Sequence, residues 1–208
     1  MFQCSVWGEL PPTPTLSKSP HHKIMNKSDD EFKAIVNAAW KNDLETIRTM
    51  VANGFDLATI NKSGESVLTE ICLELFAYET ISHRYDALKL LLELGADVNQ
   101  ITDKDGTTAL GNAGFSADTE LFRILLEADA NPNCRMDSET LYEWCEFDYY
   151  YETWNLTYPE TPPEQYRVSV DAWLNWMNEM AIKYQRRRPD HLFLLREYGA
   201  RTSAELKS

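Results

Sequence analysis

Basic residues are scarce in this chain: 20 Lys and Arg stand against 33 Asp and Glu, for a formal net charge of -13. Nucleic acid and anionic membrane surfaces would repel such a molecule, so neither is expected as a partner, whereas a basic protein would be attracted. No run of about 18 apolar residues occurs, which leaves no candidate for a membrane-spanning helix. The N-terminal MFQCSVWGEL has no basic segment leading into an apolar one and does not read as a secretory signal. Cysteine is limited to Cys4, Cys72, Cys134 and Cys145, without a CxxC pair, and His21, His22, His83 and His191 complete no metal-ligand spacing. Free thiols in a reducing cytoplasm are therefore expected, and no metal or cofactor.

Chemical motifs are missing as well. There is no GxSxG, no Gly-rich phosphate loop, no HExxH and no Cys with an evident His partner. Carboxylates abound, but no sequence feature places one in the apolar setting that raises a catalytic pKa. The chain is expected not to be an enzyme.

The first 24 residues carry PPTPTLSKSPHHK, with four prolines in thirteen residues and no apolar periodicity. That composition buries too little surface to offset its ordering entropy. Residues 1–24 are expected to be a disordered tail or a mis-assigned start, with folded structure beginning near Met25. Ser28 and Glu31 have the spacing of a helix capping box there.

What is present is a recurring phrase. ALKLLLELGADVN (87–99) returns as LFRILLEADANPN (121–133) and HLFLLREYGARTS (191–203), and is foreshadowed by LETIRTMVANGFDLA (44–58). Aligned on Gly54, Gly95, Asp129 and Gly199, the positions seven before are Ile47, Leu88, Phe122 and Leu192. Those four before are Met50, Leu91, Leu125 and Leu195. Residues three apart share a helix face, so each phrase predicts a helix with one apolar stripe. The aligned Gly, or Asp, is the positive-φ residue that ends it. Turn phrases intervene: NKSGESVLTEIC (61–72) and DKDGTTALGNAG (103–114) each set a Gly four residues before a Leu.

Turn, helix, loop and helix at a period near 33 residues resemble the ankyrin-repeat family from about Phe32 to Ala200. Gly106, Thr108, Ala109 and Leu110 stand where that family has GxTPL, with Ala109 for its usual Pro and Gly111 for its usual His. The resemblance implies an all-α solenoid of about four helix-turn-helix repeats, near 32–60, 61–100, 101–134 and 135–208. It also implies a protein-binding rather than catalytic role. The short, irregular, acidic array further resembles bacterial ankyrin-type immunity proteins, which implies an acidic antidote that neutralises a basic toxin. A regulatory scaffold or effector binding a cellular protein is the alternative.

Spacing between the aligned positions is uneven. Gly54 to Gly95 spans 41 residues, which predicts about eight extra within LFAYETISHRYD (75–86); Asp129 to Gly199 spans 70. That is one repeat with a long helical insertion, near 146–186, or two degenerate repeats, and the absence of a glycine midway favours the insertion. Arg196 replaces the Val51, Leu92 and Leu126 of earlier repeats, an outward polar position of the kind a capping repeat needs, so the array is expected to end here.

The segment 136–166 holds eight carboxylates and no Lys, Arg or His. As a helix, Leu141, Trp144, Phe147, Tyr151 and Trp154 form one stripe, expected to be core. Tyr149 and Tyr150, flanked by Glu146, Asp148 and Glu152, are expected on the surface as partner-binding anchors. The turn tips Lys62, Ser63, Lys104 and Asp105 complete the predicted contact set. Beyond a Pro-punctuated loop, Val170, Trp173, Leu174, Met177, Ala181 and Tyr184 predict a second helix, with Trp176 and Met180 adding exposed apolar area. Arg186–Arg188 suit that helix's C-terminal dipole as a solvated end. The free molecule is expected to be a monomer.

Overall fold

The structure, a computed structural model, describes residues 21–77, 85–102, 106–136 and 138–207. It is built of helices α1 (His21–Trp40), α2 (Leu44–Ala52), α3 (Val67–Ala77), α4 (Asp86–Glu93), α5 (Ala109–Ala113) and α6 (Thr119–Glu127). A two-stranded hairpin follows, β1 (Arg135–Met136) against β2 (Glu139–Thr140). Then come α7 (Leu141–Trp154), α8 (Val170–Lys183) and α9 (Asp190–Glu197).

The repeated phrase folds as its chemistry requires. Ile47, Leu88, Phe122 and Leu192 are all fully buried. Gly54, Gly95 and Gly199 have φ near +90°, and Asp129 has φ +64°. After each, one amide reaches back over the helix end: Phe55 to Met50, Ala96 to Leu91, Ala130 to Leu125 and Ala200 to Leu195, all within 2.9–3.0 Å. Orphan carbonyls at four helix ends are thus satisfied by one device. Side chains cap the other ends: Asp43 accepts from the Thr46 amide, and Asp118 from those of Glu120 and Leu121.

Helices stack in two rows. In one, α1 packs on α3 and α3 on α5; in the other, α2 packs on α4 and α6 on α9. Turn side chains tie neighbours together. Asn99 Nδ2 donates to the Asp129 carbonyl (2.9 Å), and its Oδ1 accepts from the Asn131 amide (2.7 Å). Asn133 makes the same pair with the Gly199 carbonyl (3.1 Å) and the Arg201 amide (2.8 Å). So the ladder that joins 99 to 129 also joins 133 to 199, across the 70-residue gap, and α7 and α8 lie in the detour.

Two glycines show how tightly α7 closes on the stack. A Cβ on Gly114 would stand 3.1 Å from Leu141 Cδ1. One on Gly111 would meet Met136 Sδ and Thr107 Cγ2 at 3.0 Å each. The Met136 thioether of the hairpin therefore fills the space in which a larger residue at position 111 would sit.

Several expectations need correction. Helix α1 starts at His21, so Ser28 lies inside it and not at its cap. The capping box is at α7, where Thr140 and Glu143 satisfy each other's backbone amides. Residues 1–20 of the predicted tail, 78–84 of the predicted extra segment, and Lys104 and Asp105 lie outside the described residues. Arg196 does not face solvent. Its guanidinium binds Asp171 of α8 (2.8 Å), Glu205 (2.8 Å) and the Ala200 carbonyl (2.8 Å), and lies 5.5 Å from the Tyr142 ring centre. Burial works against its charge, but these acids more than compensate and raise its pKa.

Candidate functional site

Helix α7 carries apolar and acidic side chains on every face, so its 3.6-residue periodicity does not single out one buried side. The buried face is Leu141, Tyr142, Cys145 and Tyr149, turned toward α9 and the end of α5. This overturns two parts of the sequence reading. Tyr149 is core: it is 0 % exposed, its hydroxyl donates to the Arg187 carbonyl (2.7 Å), and it packs 6.1 Å from the His191 ring. Phe147 and Tyr151, expected in the core stripe, are 59 % and 51 % exposed. The stripe was displaced because α9 approaches α7 from the side that Tyr149 faces.

A second face of α7, at Glu146, Tyr150 and Trp154, is covered by the detour. Tyr150 stacks on Tyr158 at 4.7 Å, and its hydroxyl donates to the Leu156 carbonyl. Tyr150 is therefore half-buried and held, not a free surface ring. Tyr158 in turn meets Trp176 (4.7 Å), Trp154 (5.2 Å) and Trp173 (5.8 Å) edge-on or tilted, and Trp173 stacks on Trp176 at 5.0 Å. Trp176, expected to be exposed, is buried in this cluster, and Met180, also expected to be exposed, is buried too. The chain reverses into it at Asn155 and Leu156, both at positive φ (48° and 57°), a conformation costly for Leu and held by the Leu156 amide bond to the Tyr150 carbonyl.

Between α7 and the detour lies a hollow of about 560 Å³. Its walls are the rings of Phe147, Tyr150, Tyr158 and Trp173 and the carboxylates of Glu143, Glu146 and Glu160, with no Lys, Arg or His among its lining residues. Burial opposes charge on Glu143, but hydrogen bonds from Ser203 and Thr140 hold its carboxyl below the usual range. Glu160 is bound by Lys183 and by the Tyr184 hydroxyl, which bring its carboxyl down as well. Glu146 is the exception. Its Oε1 accepts from Trp173 Nε1 (2.6 Å), yet burial, reinforced by the charge of Glu143, raises its pKa. Among the described residues no basic side chain pairs with it.

The remaining predicted site residues fall elsewhere. Asp148 is half-buried and Glu152 exposed on other faces of α7, and burial raises the Asp148 carboxyl. Lys62 and Ser63 line a separate hollow of about 340 Å³ with Trp40, where Lys62 pairs with Asp29 of α1 at 2.6 Å. Tyr158 and Trp173 were missed as site residues. Trp173 stands at a helical-spacing position that predicts α8 and carries no further signal, and Tyr158 sits in a Pro-punctuated, aromatic-rich but irregular segment that periodicity does not detect.

Beneath the site, His191 is buried between Phe122 and Tyr149. Burial, then the charge of Arg187, bring its pKa down to about 3, against a hydrogen bond with the Cys145 backbone that favours the charged form. Above about pH 6.5 imidazole is neutral in both the folded and unfolded chain; below it only the unfolded chain gains the proton until pH nears 3. Stability is therefore expected to fall with acidification across that window, by roughly 2–3 kcal/mol at pH 4.5. Urea titrations at pH 7.5 and 4.5 on wild type and His191→Asn check this, because the variant should show a pH loss smaller by that amount.

Among the described residues no helix is long and apolar enough to cross a membrane, and no group of three or more His, Cys, Asp and Glu side chains is placed to hold a metal ion. Cys72, Cys134 and Cys145 are free and buried. Residues 35–136 match the family model for ankyrin repeats, in three copies. No curated protein matches the chain.

Proposed function

This chain is an ankyrin-repeat protein, hence a protein–protein interaction module, and we propose that the partner it binds is a basic protein. In the sharpest form of this reading, the chain is the acidic antidote of a basic toxin. We take α7 and α9 as the helix pair of a fourth repeat and the segment between them as its insertion, in keeping with the Asn133 ladder to Gly199 and Arg201. The observation that carries the reading is the hollow at that insertion: aromatic walls with acidic and no basic residues, on a molecule of net charge -13. Aromatic rings supply contact area at little entropic cost, and a one-signed field speeds encounter with the opposite charge. The exposed rings of Phe147 and Tyr151 extend this surface along α7.

The test is capture of partners from the source cell's lysate on the immobilised chain, with washes at low and at molar salt and identification by mass spectrometry. One basic protein retained in both washes is the expected result, and co-expression with this chain should relieve that protein's toxicity. A neutral or acidic partner, or many partners all lost at high salt, would contradict the reading.

A further inference from the structure

We propose that the hollow between α7 and Trp173 receives an arginine side chain of the protein partner. This rests on the reading of the chain as a binder of a basic protein and adds the chemistry of the contact.

Of the three carboxylates in the hollow, two are already spoken for. Glu143 accepts from Thr140 and from the Ser203 amide (2.9 Å) and hydroxyl (2.7 Å), and Glu160 is held by Lys183 and Tyr184. Both bonds to Glu160 fall on its Oε1, but its charge is already met by Lys183. Glu146 has neither a cation nor a second donor among the described residues: Oε1 is fixed by Trp173 and Oε2 takes part in no hydrogen bond. A carboxylate oriented by an indole, set among four rings and lacking a cation, calls for a flat positive group.

Guanidinium fits better than ammonium. It is planar, stacks on ring faces while its edge donates to a carboxylate, and is more weakly hydrated, so it loses less on entering an aromatic hollow. The chain uses the same pairing internally: Arg187 lies 5.7 Å from the Tyr149 ring centre and Arg196 5.5 Å from that of Tyr142. A volume of about 560 Å³ lies within the range of sites that seat a ligand group. Charge complementarity identifies the occupant, since neither an acidic nor a neutral side chain would compensate Glu146.

The probe is the tripeptide acetyl-Gly-Arg-Gly-amide, with Lys and citrulline counterparts, titrated into the full chain. The readout is the NMR signal of the Trp173 indole N–H, the group bonded to Glu146. A saturable shift with the Arg peptide is expected, about tenfold weaker binding with Lys and no saturation with citrulline. Glu146→Gln keeps an oxygen for Trp173 and removes the charge; it should weaken binding by about tenfold or more. Glu93→Gln changes net charge equally but lies exposed at the end of α4, outside the hollow, and should leave affinity within about twofold. Phe147→Ala removes an exposed wall of the hollow and should weaken binding even if Glu146→Gln disturbs folding.

Equal binding of the Lys and Arg peptides, or equal effects of Glu146→Gln and Glu93→Gln, would overturn the proposal, because bulk charge would then account for the binding. Failure of the Arg peptide alongside capture of a salt-resistant basic protein would sink the hollow and leave the basic-partner reading intact. Binding of the Arg peptide without such a capture would do the reverse.

Discussion

Tyr149→Ala is expected to lower the unfolding free energy by about 3–5 kcal/mol, the range for removing a large buried aromatic ring. The ring is completely enclosed, between His191, the Arg187 guanidinium and the body of α7. Truncation would leave a cavity beneath the start of α9 and also strip the Arg187 carbonyl of its 2.7 Å donor. Tyr149→Phe separates the two effects: it keeps the ring and should cost about 0.5–1.5 kcal/mol, the net contribution of one part-buried hydrogen bond. Tyr151→Ala, two residues away and half in solvent, should stay within about 0.5 kcal/mol. Urea unfolding followed by circular dichroism measures all three. A loss below about 1 kcal/mol for Tyr149→Ala would mean that the ring is not part of the core.

Trp176→Ala should cost a similar amount, about 3–5 kcal/mol, and its larger interest lies in how the loss appears. Trp176 is 1 % exposed at the centre of a cluster with Trp173 and Tyr158. Leu174, Met177 and Ala181 of the same helix belong to one continuous core with the residues of α1–α6. Two polar ties cross to the array as well: Trp173 to Glu146 and Asp171 to Arg196. If the insertion is integral, a single cooperative transition moves to lower denaturant concentration with an unchanged slope. A separate early transition, with the array unfolding where it did before, would show α8 to be an appendage.

Much of the fold was legible because its determinants are local. A positive-φ residue at a helix end and apolar residues four and seven positions before it recur in sequence, and Gly54, Gly95, Asp129 and Gly199 all adopt the predicted conformation. The site was only partly legible, for a different reason. On α7, rings occupy every face, and which are buried depends on where α9, α8 and Tyr158 come to rest. Those contacts are 38 residues apart in sequence for Tyr149 with Arg187, and 27 for Glu146 with Trp173. No local pattern encodes them, so spacing alone puts Tyr149 on the surface and Phe147 in the core. Glu146 was found by its acidic surroundings, but what distinguishes it from Glu143 and Glu160, namely that their partners are in place and its cation is not, exists only in three dimensions.

The partner is expected on the acidic, aromatic face formed by α7 and the segment that leads from it to α9. Amide hydrogen exchange on the full chain, with and without the captured basic partner, tests this placement most directly. New protection is expected across 141–184, greatest around Phe147, Tyr158 and Trp173. Protection confined to the turn around Lys62 and Ser63 and to the neighbouring turns of the array, with 141–184 unchanged, would contradict it.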